Sequence, residues 1–421
     1  MKLDDERFMT ELTDEVIQNN VLVSFKFQTN INIKKALKKL CTEQSLSDWA
    51  GDPSIEDEMI KKYGAKVINN SVSIIDKETV KVTLAFPMNN IEDDIIVMLN
   101  ALGGDTYNIG LFKGIRIEDF WLPDFFYKKY AGPKNGVNGI RKKLKVYGRP
   151  IFCGPVKPCI GLNPKQFADI GKQALLGGAD IIKDDELIIS PPYCPFEERV
   201  TEVMQAIDKA KQITGENKLY VADISAGRDR IDELIDIGMD VDVDGFMVSP
   251  AIQGFDIIYD LTKKVKDKII YAHNALMYAA AKDPNHGLKY SVFSKIQRMY
   301  GADVIVNPCP WGSFEVMSLE EHKDNMKTGV EDLYNYKKTF MAVCGAQSPS
   351  TIPINYKMAQ SKDFMMIIGG ALYGHPDGAE AGARSLRQGW EAVEKGIKLE
   401  EYAETHKELK TSIDVFGEVL Y

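Results

Sequence analysis

Between Gly177 and Ile188 the chain reads GGADIIKDDELI: two glycines, a short apolar run, then one lysine followed by three acids. Carboxylates are hard oxygen donors, and Asp184, Asp185 and Glu186 in succession are a common way to hold a divalent cation such as magnesium. In an extended strand, residues two apart share a face, so Lys183 and Asp185 point together while Asp184 points away. An ammonium beside a metal ion is repelled. The conflict disappears if the lysine has added carbon dioxide and become an anionic carbamate. The same letters also fit a plain ion pair between Lys183 and its acids at a strand end. Residue types and spacing alone do not choose between the two.

The surrounding elements decide whether such a cluster faces a site. At 421 residues the chain has room for a large domain and a smaller one, each with its own core. The 44% hydrophobic and 27% charged composition is that of an ordinary soluble globular protein. A net charge of -9 with a pI near 5.3 argues against nucleic-acid or anionic-membrane surfaces as partners. No apolar run approaches the roughly 18 residues of a membrane helix. The acidic opening MKLDDERFMTELTDE lacks a secretory apolar segment, so a cytoplasmic location is expected. Six scattered cysteines without a CxxC pair read as buried thiols, and a count of five histidines argues against a histidine-rich metal site.

Residues 1–145 read as an α+β domain. VLVSFKF alternates as a strand, INIKKALKKLCTEQ has helical spacing, and KVINNSVSIID, VKVTLAFP and the helix-like IEDDIIVMLNAL follow. Over 146–421 the rhythm changes to strand, turn, amphipathic helix. The candidate strands are PIFCGPVKP, ADIIKDD, KLYVADIS, DGFMVSPA, IIYAHNA, DVIVNP, FMAVCGA and FMMIIGGA. Eight such units close a (β/α)8 barrel, with a charged helical extension after about Gly396. Asn163 and Pro164 mark the start of one intervening helix. Chemistry in such barrels sits at the C-terminal strand ends. Here those ends carry Lys157, Lys183 with Asp185 and Glu186, Ser225, Ser249, His273, Asn307, Cys344, and Gly369 with Gly370.

Those motifs carry a family resemblance. GGADIIKDDE resembles the RuBisCO large-chain segment with the activating, carbamylated lysine and its two acidic magnesium ligands. VKPCIGL is similar to that family's first barrel strand, its catalytic lysine here being Lys157. AHNAL resembles the fifth strand with His273, and IIGGALYGHPDGA the eighth. AGPKNGVNGIRKKLKVYGRPIF is similar to the join between the domains. The resemblance spans essentially the whole chain. It implies a ferredoxin-like N-terminal α+β domain, a magnesium ion on the Lys183 carbamate, Asp185 and Glu186, and a homodimer whose active sites are shared between subunits. The N-terminal contribution would be Glu43 and Trp49 from CTEQSLSDW and Asp105 from GGDTYN.

Departures from the family pattern carry the functional expectation. Asn274 stands in place of a phosphate-binding arginine, Val306 in place of a histidine, and Cys344 in place of a phosphate-contacting serine. The mobile-loop lysine matches a position near Ser313. Most charge-assisted donors for a bisphosphate are thereby lost. Asp48 replaces a hydroxyl donor, whereas Gly369 and Gly370 suit a phosphate cradle. The chain therefore resembles a RuBisCO-like protein that keeps enolisation and loses carboxylation. The expected activity is magnesium-dependent proton abstraction next to a carbonyl in a keto sugar or sugar acid. Alternatives are the 2,3-diketo-5-methylthiopentyl-1-phosphate enolase reaction of methionine salvage, decarboxylation or transcarboxylation of a branched sugar acid, and a non-catalytic metabolite-binding role. The base is the carbamate, Lys157 or a partner residue such as Asp105, whose other role would be to brace a metal ligand.

Overall fold

The computed structural model describes residues 3–47, 52–311 and 317–417. They form two compact units, one of residues 1–131 with 277–296 and one of 132–276 with 297–421.

The first unit is built on a mixed seven-stranded sheet. Its strands are β1 (Met9–Thr10), β2 (Asn20–Gln28), β3 (Lys66–Ile68), β4 (Ser73–Ile74), β5 (Thr79–Pro87), β6 (Gly114–Trp121) and β12 (Gly287–Leu288). The order is β1-β3-β5-β2-β6-β12, with β4 pairing β5. The alternation read in VLVSFKF has its physical counterpart in β2, where Val21, Val23, Phe25 and Phe27 are buried. Asn32 caps the helix Ile33–Glu43 by accepting from the Lys34 N–H at 3.0 Å. That helix buries Ala36, Leu37, Leu40 and Cys41 along one stripe.

The second unit is a closed parallel barrel. Its strands are β7 (Ile151–Pro155), β8 (Ile181–Lys183), β9 (Leu219–Asp223), β10 (Gly245–Val248), β11 (Ile269–Ala272), β13 (Val304–Pro308), β14 (Phe340–Cys344) and β15 (Phe364–Ile367). All eight lie where the apolar runs predict them. Ile151, Cys153, Ile181, Leu219, Val221, Met247, Ile269, Tyr271, Val304, Val306, Phe340, Ala342, Met365 and Ile367 fill the lumen, so the barrel is packed and not a pore. Asn163 and Gln166 close a reciprocal capping box at the head of the helix Pro164–Gly177.

Two segments fall outside the division at residue 145. The helix Gly136–Leu144 belongs to the barrel unit, because Val137, Ile140 and Leu144 join the lumen cluster. Residues 277–296 return to the first unit. There β12 extends the sheet beside β6, the Tyr107 hydroxyl donates to the Gly287 carbonyl at 2.9 Å, and Arg116 donates to the Ala281 carbonyl at 3.2 Å. Sequence order hides both, since a short amphipathic helix and a two-residue strand declare no partner.

The glycine pair before β8 has a local cause. Gly178 ends its helix in the left-handed region at φ +118. At Gly177 a Cβ would lie 2.0 Å from the Glu380 carbonyl oxygen, on the helix Gly378–Lys395 packed against it. Gly177→Ala must push those helices apart. We expect a loss of about 1–3 kcal/mol of unfolding free energy, read as a lower urea midpoint.

Candidate functional site

The C-terminal ends of the barrel strands bring together Lys157, Lys183, Asp185, Glu186, His273, Asn274, Cys344, Gly369 and Gly370. Glu43 and Asp105 lie in the first unit. Glu43 pairs with Lys39 at 2.6 Å, and Asp105 is exposed and accepts from Asn108 at 3.0 Å. Trp49, Asp48 and Ser313 lie outside the described residues.

Each acid after Lys183 has a different role. Asp184 faces away from the lumen into a fully buried cluster. It accepts from Arg199 at 3.0 Å, from the Tyr220 hydroxyl at 2.6 Å and from the Asp223 N–H at 3.0 Å. This saturation explains a buried carboxylate. Asp185 receives the Lys157 ammonium. Burial works to raise its pKa, yet the hydrogen bond and charge of Lys157, aided by Lys183, leave it below the ordinary carboxylate value. Glu186 is half-buried, with one oxygen 3.5 Å from His273 Nε2.

Lys183 is the exception. It is 2% exposed, and its Nζ donates to the Asp184 carbonyl at 2.8 Å with Met247 Sδ 3.4 Å away. The Tyr271 ring lies 5.8 Å from the same nitrogen. Among the described residues Lys183 forms no ion pair. Its acids are engaged elsewhere, Asp184 by Arg199 and Asp185 by Lys157. The simple ion-pair reading of the KDDE run therefore fails.

Lys157 sits between Asp185 and Cys159, with Sγ at 2.9 Å. Burial works to lower its pKa, but Asp185 and Cys159 together outweigh burial and raise it, so the side chain is held as an ammonium. His273 is neutral: burial, and then the Lys183 charge, push its pKa down to about 3. Its Nδ1 accepts the Ala275 N–H at 3.2 Å, which puts the ring proton on Nε2, facing Glu186. At Gly369 a Cβ would lie 3.3 Å from Lys157 Cε, the flexible end of that side chain, and at Gly370 a Cβ meets nothing.

Several participants lie beyond the reach of sequence reasoning. Asp223 is fully buried at the end of β9, and burial pushes its pKa up to about 7. One oxygen accepts from the Ser225 N–H at 3.0 Å and hydroxyl at 2.6 Å, and the other has no hydrogen-bond partner among the described residues. The alternation of KLYVADIS, which puts Asp223 on the face of Val221, is the one signal for it. Arg199 and Cys159 carry none, since each acts through a contact that only folding makes. His322 is buried behind β13, with Nδ1 donating to the Pro308 carbonyl at 3.1 Å.

No three His, Cys, Asp or Glu side chains cluster as a ready-made metal site among the described residues. The donor set of Asp185, Glu186 and an unmodified Lys183 holds two oxygen ligands. A carbamate on Lys183 would supply the third, and a nitrogen without a counter-ion fits that modification.

Comparisons with known proteins identify the family. Residues 136–416 match the family model for the ribulose bisphosphate carboxylase large chain, catalytic domain, and residues 10–126 match its N-terminal domain. The chain belongs to the RuBisCO large-chain family. A ribulose bisphosphate carboxylase-like protein of Chlorobaculum thiosulfatiphilum is 32% identical over 398 residues, covering 91% of both chains. A ribulose bisphosphate carboxylase of Thermococcus onnurineus is also 32% identical, over 80% of each. The dimeric archaeal Rubisco structure from Hyperthermus butylicus matches with a TM-score of 0.85 and 29% identity, covering 97% of this chain and 98% of that one. Both RuBisCO-like proteins and carboxylases are thus among the relatives. Among the described residues no helix is long and apolar enough to cross a membrane.

Two outcomes test the environment of the site. Arg199→Ala strands the Asp184 charge in the interior and should cost about 3–5 kcal/mol, measured by urea denaturation. Burial lowers the His322 pKa from its ordinary 6.5 to about 4. The folded chain then binds fewer protons than the unfolded chain in that window. The contribution of His322 is complete above pH 6.5 and lost as pH falls towards 4. Between pH 7 and pH 5 the loss is about 2 kcal/mol, and His322→Asn should flatten the pH dependence of the urea midpoint accordingly.

Proposed function

We propose that the protein is a RuBisCO-like enzyme that abstracts a proton next to a carbonyl in a sugar-derived keto compound, giving isomerisation or tautomerisation without carbon fixation. The observation that carries this reading is the buried, counter-ion-free Lys183 beside two acids at the barrel mouth. Carbon dioxide bound there as a carbamate would turn an isolated charge into a third oxygen ligand. Lys183, Asp185 and Glu186 would then hold magnesium, which supplies a Lewis acid for the substrate carbonyl.

The remaining residues divide the work by protonation state. Lys157, kept charged by Asp185 and Cys159, is a hydrogen-bond donor to an oxygen that gains negative charge and is poorly suited to remove a proton. His273 has its Nδ1 lone pair occupied and its Nε2 proton aimed at Glu186, so it orients that carboxylate. This leaves proton removal to a carbamate oxygen on Lys183 or to Asp105 of a second copy. A homodimer is supported by an apolar rim on the barrel loops, where Ile160, Leu187, Ile252 and Leu276 are 57–63% exposed. Glu43, Trp49 and Asp105 would be the residues contributed across it. The loss of carboxylation rests on Asn274, Val306 and Cys344, which supply no cation at strands β11, β13 and β14.

Incubation of a keto-sugar panel in heavy water with magnesium and bicarbonate should give deuterium incorporation next to the carbonyl. Lys183→Ala should abolish the exchange, and removal of bicarbonate should slow it at least tenfold. Exchange indifferent to bicarbonate would remove the carbamate from the reading. No exchange with any ketone would remove the activity.

A further inference from the structure

The end of the barrel opposite the candidate site holds a cavity of its own. About 500 Å³ of space lies among residues 144–149, which lead into β7, residues 215–217 before β9, and one side of the helix Gly378–Lys395. The first two segments precede their strands, so the cavity sits at the N-terminal ends of the barrel, away from Lys157, Lys183 and His273. All of it lies within the barrel unit. Small-molecule sites typically enclose about 300–1,000 Å³, and this volume is of that size.

The charges of the cavity are arranged around two acids. Asp180, just before β8, accepts from both Nη atoms of Arg149 at 2.6 Å and from the Phe152 N–H at 2.9 Å, and Arg387 stands 3.4 Å away. Glu216 receives Lys218 at 2.6 Å and Arg387 at 2.9 Å. Three cations thus meet two acids. Lys145, exposed at the rim where the helix Gly136–Leu144 ends in the left-handed region at φ +59, adds a fourth cation. The other two acids of the wall are matched by their own cations. Glu394 faces Lys362 at 3.3 Å, and Glu391 accepts the Tyr402 hydroxyl, which in turn accepts from Lys395. In a chain of net charge -9 this is a local excess of positive charge on a concave surface.

The rest of the wall is apolar and flat. Trp390 packs edge-on against Tyr356, with ring centroids 5.3 Å apart, and lines the cavity beside Leu144. Tyr147 is 63% exposed on the same loop as Lys145. We propose that this cavity binds an organic phosphate carried on a flat ring, with the dimensions of a nucleoside monophosphate. Arg387 gives its Nε to the Gly178 carbonyl at 2.7 Å and its Nη2 to the two acids, so its Nη1 and the Lys145 ammonium are the donors for the phosphate. The exposed face of Tyr147 stacks on the ring. No residue of this site belongs to the candidate active site, and the two stand or fall separately.

Titration calorimetry of the full chain with AMP, adenosine and inorganic phosphate tests the site. AMP should bind with a dissociation constant below about 1 mM, and about tenfold tighter than either adenosine or phosphate. Lys145→Glu changes an exposed side chain and leaves the Asp180 contacts in place. It should weaken AMP about tenfold, with the urea midpoint of the protein unchanged. Tyr147→Ala should weaken AMP about fivefold and leave phosphate binding as it was. Lys157→Met, at the opposite end of the barrel, should leave AMP binding intact. AMP binding that is weaker than about 1 mM, no tighter than adenosine, indifferent to Lys145→Glu or lost in Lys157→Met overturns the proposal.

Discussion

Burying an ammonium without an anion beside it costs several kcal/mol, and a folded protein ordinarily avoids it by pairing the charge or by neutralising it. Lys183 is buried at the end of β8 with a backbone carbonyl and a thioether as its neighbours. The rest of the structure leaves it that way. Arg199 on the following helix claims Asp184, and Lys157 on the adjacent strand end claims Asp185. A sequence with three acids after a lysine has thus been folded so that none of them neutralises it.

The barrel is what makes this separation possible. Its strands alternate between lumen and helix layer, so Ile181 and Lys183 share the inside while Ile182 and Asp184 face out. One residue of register would exchange the two acids and place Asp184 at the mouth. The saturated contacts of Asp184 with Arg199, Tyr220 and the Asp223 N–H lock that register from outside. A structural ion pair and a candidate metal ligand therefore sit side by side, each defined by the direction it faces.

Much of this was legible in the sequence, for a physical reason. Strands buried on both faces read as apolar runs, and the eight runs from PIFCGPVKP to FMMIIGGA locate every barrel strand. The two-residue period of a strand is likewise enough to set Asp184 and Asp185 on opposite faces. What the sequence does not carry is the identity of partners brought from a distance. Nothing marks Arg199 as the counter-ion of Asp184, or Cys159 as a contact of Lys157. Nothing in GVNGIRKKL says that Val137, Ile140 and Leu144 close the lumen, and so the domain boundary falls too late when read from composition. Charge, by contrast, survives the step to three dimensions well. A loop without a basic residue cannot acquire one by folding.

The pairing of β15 with β7 also bears on when the site comes into being. Met365, Met366 and Ile367 lie beside Ile151, Phe152 and Cys153. Strands more than two hundred residues apart along the chain are neighbours, so the barrel closes only after nearly the whole polypeptide has been synthesised. A ribosome-bound fragment ending before β15 would carry Lys157, Lys183, Asp185 and Glu186 on an open, unsealed sheet. Ring closure therefore depends on a pairing of high sequence separation, the kind of contact that forms slowly in folding.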